Sequence, residues 1–181
     1  MITLVLPDHD RSGSWLEAMR EFDDDRLQGF ATFDFEGKDF GSRQVFEQWL
    51  DRERRQRVAG QNGFVPATVW WIIDDAQPGE VLGSIHLRHE LNDWLLAEGG
   101  HIGYGVRPSA RRHRVVTKAL HLVLEQARKK GLTSVLMICD ADNVASRKTI
   151  IAAGGVLENA PGEIERYWIP LTDSGHATQT E

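Results

Sequence analysis

Residues 99–117 of the chain read GGHIGYGVRPSARRHRVVT, and this stretch decides the fold. We interpret it as a strand over 100–106 that runs through a turn, opened by Arg111 and Arg112, directly into a helix. Unpaired N–H groups and the helix dipole favour an anion at such a helix start, so the stretch predicts a phosphate-binding turn. An ordinary basic helix start, with its arginine side chains in solvent, is the alternative.

The flanking sequence predicts alternating strands and helices on both sides of this stretch. Upstream we predict a strand at 2–6, a helix capped by Ser14, a loop at 27–38, a helix capped by Ser42, a hairpin of strands 67–73 and 81–87 around a turn at 74–79, and a short helical excursion at 88–96. Downstream we predict an amphipathic helix at 110–130, a buried strand at 134–139, a helix at 143–153 and a hairpin of strands 156–159 and 163–169. The expected organisation is one domain over residues 1–170, followed by a disordered tail at 171–181.

This order of elements, combined with the turn, resembles the GNAT family of N-acetyltransferases. The resemblance implies an α+β fold with a central, mostly antiparallel mixed sheet that splays at its fourth strand near Val106 and has helices on both faces. It also implies parallel pairing between the strands at 102–106 and 134–138. Two glycines flank Tyr104 and suit a β-bulge in the fourth strand. A plain kink that binds no ligand is the alternative.

The same resemblance implies acetyl-CoA as co-substrate. No metal is expected, because no Cys or carboxylate has a metal-ligand spacing to the histidines. In the family the turn cradles the pyrophosphate, the fourth strand pairs with the pantetheine arm, and an Asn-x-x-Ser segment starts the next helix beside it. Asn143 and Ser146 match that segment, although Asn143 could equally be a simple N-cap. The implied cofactor-binding residues are Tyr104, Val106, Arg111, Arg112, His113, Arg114, Val115, Val116, Thr117, Asn143 and Ser146.

Three positions depart from the family pattern. Arg114 and Val116 stand where the family has glycine, and glycine or alanine. Ile150 stands where many members carry the tyrosine that protonates the departing thiolate, so that acid is excluded. The predicted activity is direct acetyl transfer to an amine of a small molecule or peptide in a ternary complex. The alternative is a catalytically impaired protein that binds a ligand or partner through the same fold.

The general base has several candidates. Family bases are commonly Glu or His from the fourth strand or its neighbour, and Glu98 and His101 are the main candidates here. Strand alternation would place Glu98 on the same side as Tyr104, whereas His101 has an unperturbed pKa suited to the task. His89 and Glu90 are further candidates, in a segment that resembles a little-characterised bacterial branch of the family.

Composition limits the remaining questions. The chain has 181 residues, of which 41% are hydrophobic, and a formal charge of −6, which argues against nucleic acid as a partner and favours cationic acceptors such as polyamines, aminoglycosides or lysine-like amines. Cys139 is the single cysteine, which excludes an internal disulfide and fits a cytoplasmic location. No apolar run suggests a membrane span. A homodimer is left open.

Overall fold

The computed structural model describes residues 1–22, 27 and 29–171. The described chain forms these α-helices and strands, in order: β1 Ile2–Val5, α1 Ser12–Arg20, α2 Arg43–Gln56, β2 Ala67–Asp74, β3 Gln77–Arg88, β4 Ile102–Val106, α3 Val115–Lys129, β5 Ser134–Asp140, α4 Val144–Ala152, β6 Val156–Asn159 and β7 Ile164–Pro170. A single π-helical turn, Leu95–Gly99, precedes β4, and a short 3-10 turn, Pro108–Ala110, follows it. The predicted α+β class and the order of elements are confirmed.

The strands form two sheets. One has the order β1-β2-β3-β4 and the other the order β5-β7-β6, and every strand pair in the described residues is antiparallel. The predicted parallel ladder between β4 and β5 is therefore absent from this part of the chain. The two strands meet at one point and then diverge, so the predicted splay takes the form of a division between two sheets.

The meeting point consists of two hydrogen bonds between His101 and Leu136. The His101 N–H donates to the Leu136 carbonyl at 2.7 Å, and the Leu136 N–H donates to His101 Nδ1 at 2.8 Å. Gly100 permits this approach, because it has φ +63° and a Cβ there would lie 2.7 Å from the Leu136 oxygen. A glycine before β4 thus lets the sheets touch, and the histidine ring fastens them.

Helices cover both faces of the four-stranded sheet, as predicted. Helix α3 buries its apolar stripe in a core shared with β2, β3 and β5. On the opposite face, α1 and α2 enclose a second core around Trp15, Trp49 and Trp71. Trp15 stacks on Trp49 with a 4.5 Å centroid separation. Trp71 belongs to this second core, whereas its neighbour Trp70 packs against the first, as strand alternation requires.

Several predicted element boundaries are wrong. Helix α1 begins at Ser12, and Ser14 does not cap it, because its Oγ accepts a hydrogen bond from the Val81 N–H at 2.9 Å. The β2–β3 turn is shorter than predicted, since β3 resumes at Gln77 and includes Pro78. The helical excursion lies later than predicted, since β3 runs on to Arg88.

The predicted start of helix α3 and the predicted start of the C-terminal tail are also wrong. Helix α3 begins at Val115 instead of residue 110, because the residues before it form the 3-10 turn and an irregular turn. Leu171, assigned to the tail, belongs to the fold: it is buried, and its N–H donates to the Thr133 carbonyl at 2.8 Å. The rest of the predicted tail, 172–181, lies outside the described residues, as do residues 23–26 and residue 28 of the predicted loop.

The His101–Leu136 junction predicts an acid-sensitive fold. Burial, and secondarily the charge of Arg88, lower the pKa of His101 to about 4, whereas an unfolded histidine titrates near 6.5. Between these two pKa values, His101 binds a proton in the unfolded chain but not in the folded chain. The contribution of neutral His101 to the free energy of unfolding is therefore complete above pH 6.5 and is lost as the pH falls towards 4. Urea unfolding between pH 7 and 4.5 should show this loss, which for His101 amounts to at most about 3 kcal/mol.

His101→Ala should lower the free energy of unfolding at pH 7 by about 1–3 kcal/mol, because the buried Leu136 N–H loses its acceptor. The difference in free energy of unfolding between His101→Ala and the parent should become smaller as the pH is lowered. His121→Ala is the matched control, since His121 is exposed on α3. A His101→Ala variant as stable as the parent at pH 7, with the same acid sensitivity, would contradict this role.

Candidate active site

A cleft opens where β4 and β5 diverge. It encloses a cavity of about 560 Å³ with β4 and β5 on its sides, the π-helical turn at one end, and the loop 29–36 as an outer wall. Helix α2 holds that loop from behind. The Trp49 indole donates to the Ala31 carbonyl at 2.9 Å, and the Arg52 guanidinium donates to the carbonyls of Ala31 and Phe33. The wall of the cleft is therefore attached to the tryptophan core.

Gly103 of β4 serves close packing, and the regular pairing of β4 with β3 corrects the predicted bulge. The register between β3 and β4 runs unbroken from Gly83–Val106 to Leu87–Ile102. His86 lies opposite Gly103, and a Cβ on Gly103 would come within 2.7 Å of His86 Nε2. The absence of a side chain on this face of β4 thus makes room for the imidazole beside the cleft.

The turn before α3 presents a row of free backbone donors. The N–H groups of residues 112–117 have no hydrogen-bond acceptor within the described part of the chain, and α3 has no side-chain cap there. Arg112 and Arg114 have φ of +68° and +57°, the left-handed conformation that glycine adopts without strain. The turn therefore keeps a glycine-like backbone with arginine side chains, and its donors with the helix dipole suit a pyrophosphate.

A carboxylate clamps the segment that leads into this turn. Glu21, at the end of α1, accepts hydrogen bonds from the Arg107 guanidinium and from the Ser109 N–H at 2.9 Å. Burial raises the pKa of Glu21, but hydrogen bonds from Arg107 and Ser109 outweigh it and lower the pKa to about 2. This ion pair engages Arg107. Arg111, Arg112 and Arg114 are exposed, and the Arg111 Nε donates to the Val106 carbonyl at 3.2 Å.

Tyr104 reaches across the cleft from β4 to α4. Its Oη lies 2.6 Å from Ser146 Oγ, while the Ser146 N–H donates to Asn143 Oδ1 at 3.0 Å. Asn143 is thus the N-cap of α4, and it also lines the cavity. Burial raises the pKa of Tyr104, so the phenol keeps its proton. A hydroxyl donor consequently stands in the cleft, whereas Ile150 is buried in the core.

The structure separates the candidate bases. Glu98 is exposed at the π-helical turn and lines the cavity, so the strand-alternation argument for it does not apply. His101 uses Nδ1 at the sheet junction and is not among the residues that line the cavity. His89 pairs with Thr68 Oγ1 at 2.9 Å, and burial followed by the charge of Lys130 lowers its pKa to about 4. Glu90 lies outside this cavity.

Two residues of the cleft received no role from sequence reasoning. His86 is buried, lines the cavity, and has no hydrogen-bond partner for Nε2 in the described chain. Desolvation, with the charges of Arg88 and Arg52, lowers its pKa well below the ordinary range. Arg88 lines the same cavity. Strand periodicity could have placed His86 and Arg88 on one face of β3. The sequence does not indicate which atoms their side-chain nitrogens contact.

Cys139 lines the cavity as a thiol. Burial, followed by the negative charge of Glu165, raises its pKa to about 11. A thiolate nucleophile is therefore disfavoured at this position. Among residues 1–22, 27 and 29–171, no group of three or more His, Cys, Asp or Glu side chains is arranged to hold a metal ion. No helix in the same ranges is long and apolar enough to cross a bilayer.

The chain matches the family model described as an acetyltransferase (GNAT) domain over residues 9–156. It therefore belongs to the GNAT acetyltransferase family, as the sequence resemblance predicts. Curated proteins include no match to the chain.

Solved structures share the fold at low sequence identity. The microcin C7 self-immunity acetyltransferase MccE, in complex with acetyl-CoA and AMP, has 15% identity and a TM-score of 0.64 over 93% of this chain and 92% of that chain. Mycobacterium smegmatis RimJ, in complex with CoA-disulfide, has 16% identity and a TM-score of 0.64 over 93% and 81%. A Salmonella typhimurium acetyltransferase that modifies the N-terminal serine of 50S ribosomal subunit protein L7/L12 has 13% identity and a TM-score of 0.60 over 93% and 94%.

The backbone of the turn predicts how coenzyme A affinity responds to glycine. In a double variant with Arg114→Gly and Val116→Ala, glycine relieves the strain of a positive φ and removes a Cβ beside the free donors. We expect coenzyme A to bind about tenfold more tightly by calorimetry, or about 1.4 kcal/mol. The matched control combines Arg114→Ala with Val116→Ala, which loses the same charge but keeps the Cβ. Weaker binding by the glycine variant than by the parent would show that the Arg114 guanidinium itself binds phosphate.

Proposed function

We propose that this chain transfers an acetyl group from acetyl-CoA to the amine of a small molecule or peptide, by direct attack in a ternary complex. The observation that carries the proposal is that a row of free N–H donors at 112–117 follows β4, the strand whose Tyr104 lines the cleft together with the Glu98 carboxylate. Acetyl-CoA supplies the activated acyl group as a thioester. An acyl-CoA donor and a single cysteine both favour a reducing, cytoplasmic location.

The residues of the turn would hold the donor. Backbone N–H groups of 112–117 and the neighbouring guanidinium groups of Arg111, Arg112 and Arg114 supply charge-assisted hydrogen bonds to phosphate oxygens. From the turn, β4 leads back along the cleft towards the sheet junction, and its backbone is paired with β3 on one edge. Tyr104 and Val106 on this strand, with Asn143 and Ser146 on α4, would border the pantetheine arm.

Proton transfer would use two groups on opposite sides of the cleft. The attacking amine must lose a proton, and Glu98 is the carboxylate that lines the cavity at the π-helical turn. The leaving sulfur must gain one, and the Tyr104 hydroxyl, oriented by Ser146, can donate to it. Tyr104 would thus replace the tyrosine that the family pattern places at position 150.

Donor binding is tested by titrating acetyl-CoA into the full chain. Acetyl-CoA at 100 times its Kd should raise the free energy of unfolding by about 2.7 kcal/mol, which a thermal-shift series reports as a concentration-dependent Tm. Release of free thiol in the presence of amine acceptors then tests transfer. Binding without transfer to any amine would favour the second candidate, a non-catalytic binding protein. The departures from the family pattern at Arg114, Val116 and Ile150 support that candidate.

Glu98→Gln should lower kcat by about a hundredfold or more with little change in coenzyme A affinity, because it removes the proton acceptor but not the turn. Glu90→Gln is the matched control, since Glu90 is an exposed glutamate outside the cavity lining. Steady-state thiol release at saturating acetyl-CoA measures both. Equal kcat for Glu98→Gln and the parent would remove Glu98 from the mechanism.

Cys139→Ala separates direct attack from an acyl-cysteine route. Because the Cys139 thiol has a raised pKa, we expect the variant to keep kcat within a few-fold of the parent. A burst of acetyl incorporation into the parent protein, detected by intact mass and lost in the variant together with turnover, would instead establish an acyl-enzyme.

A further inference from the structure

Within residues 1–22, 27 and 29–171, Arg88 is a cation without a carboxylate counter-ion. Its Nη1 donates to the carbonyls of Gly99 and Gly100 at 2.7 and 3.0 Å, and its Nε and Nη2 have no acceptor within the described residues. No carboxylate in residues 1–22, 27 or 29–171 lies within ion-pair distance of it. Burial lowers the pKa of Arg88 to about 10, because desolvation disfavours the charged guanidinium.

A second cavity of about 390 Å³ adjoins the cleft at Arg88. The two cavities share Phe33, His86, Arg88 and Trp94. Most of the remaining wall of the second cavity is apolar, from Phe64, Val65, Ala67, Val69 and Leu95. The Phe33 and Phe64 rings stack at 4.9 Å, so two aromatic faces border the space.

The only carboxylate lining the second cavity in the described chain, Glu53, is already compensated. Its Oε1 accepts from the Arg52 guanidinium, and the two side chains are 3% and 11% exposed. Among the residues that the two cavities share, the charge left unpaired within the described chain is therefore positive, whereas the carboxylates of Glu36, Glu98 and Asp140 line only the first cavity. This local balance is opposite in sign to the net charge of −6 of the whole chain.

The register of β3 and β4 shows where Arg88 lies relative to Tyr104 and to the turn before α3. Arg88 stands one position beyond the Leu87–Ile102 pair, and His86 stands opposite Gly103, one residue before Tyr104. Tyr104 pairs with Ile85, so the Arg88 backbone lies three residues further from the turn than the position paired with Tyr104, or about 10 Å at 3.4 Å per residue. Glu98 lines the cavity on the same side as Gly99 and Gly100, which Arg88 contacts.

We propose that the acceptor is a free amino acid with an apolar, preferably aromatic, side chain: Arg88 binds its carboxylate, the second cavity takes its side chain, and its amine faces the cleft. The proposal rests on the proposed acetyl transfer and specifies its substrate class. A carboxylate is the counter-ion that matches the planar guanidinium fork, and it supplies the charge that the described residues do not place beside Arg88. A peptide N-terminus lacks a carboxylate beside its amine, and a polyamine would bring a cation to a cationic site.

Neutral derivatives of one amino acid test the proposal in the full chain. With saturating acetyl-CoA, thiol release is measured for L-phenylalanine, L-phenylalaninamide and 2-phenylethylamine, which share the ring and the amine. We expect kcat/KM for phenylalanine to exceed that for each neutral compound by about 30-fold or more. Arg88→Gln should abolish this preference, and Arg88→Lys should retain part of it. Arg43→Gln, on the exposed surface of α2, is the matched control and should leave it unchanged.

Calorimetry on the coenzyme A-loaded chain makes the test independent of turnover. Tighter binding of phenylalanine than of its amide without acetyl transfer would support the carboxylate site and refute the acetyltransferase activity. Transfer to the amide or amine at a rate equal to that for phenylalanine would overturn the carboxylate site and leave the activity intact. Failure of phenylalanine and leucine both to bind and to react would also overturn the proposal, as would an unchanged preference in Arg88→Gln.

Discussion

The pair of hydrogen bonds between His101 and Leu136 fixes where the two sheets part, and the candidate active-site cleft is the consequence of that parting. The chain is joined to β5 at this point, just before β4 begins, and beyond it β4 and β5 diverge far enough to enclose about 560 Å³. The imidazole must stay neutral to accept from the Leu136 N–H, which its burial ensures. Had the strands paired along their length, their edges would satisfy each other and leave no space for a substrate.

The turn before α3 keeps a left-handed backbone conformation although arginines occupy it. Arg112 and Arg114 hold left-handed φ values at an estimated cost of about 1 kcal/mol or more each. The Glu21–Arg107 ion pair fixes the entry to the turn, and the buried Val115 fixes its exit into α3. The surrounding structure therefore imposes the conformation, and the substitutions change the charge and the surface of the site more than its path.

The sequence was informative wherever periodicity alone decides structure. The apolar stripe of α3, the buried β5 and the order of elements follow from spacing, and all are confirmed. Boundaries failed where a tertiary contact overrides local preference: Ser14 bonds to the Val81 N–H instead of capping α1. The glycines of β4 were read as a bulge because the sequence does not show that Gly103 faces His86. The state of Arg88 was likewise invisible, since a missing counter-ion is a property of three-dimensional surroundings.

In the loop 29–36, backbone carbonyls anchor the segment to α2, and side chains line the cleft. Helix α2 holds the loop by its carbonyl oxygens, through Trp49 and Arg52, while Thr32, Phe33 and Glu36 border the cleft. Any residue supplies a carbonyl, so the anchoring bonds do not depend on which side chains the loop carries. Under the proposed function, side chains of this wall such as Thr32 and Glu36 can therefore change while the anchoring bonds remain. A duplicated copy of the chain could acquire a new acceptor through a few loop substitutions, with donor binding inherited unchanged.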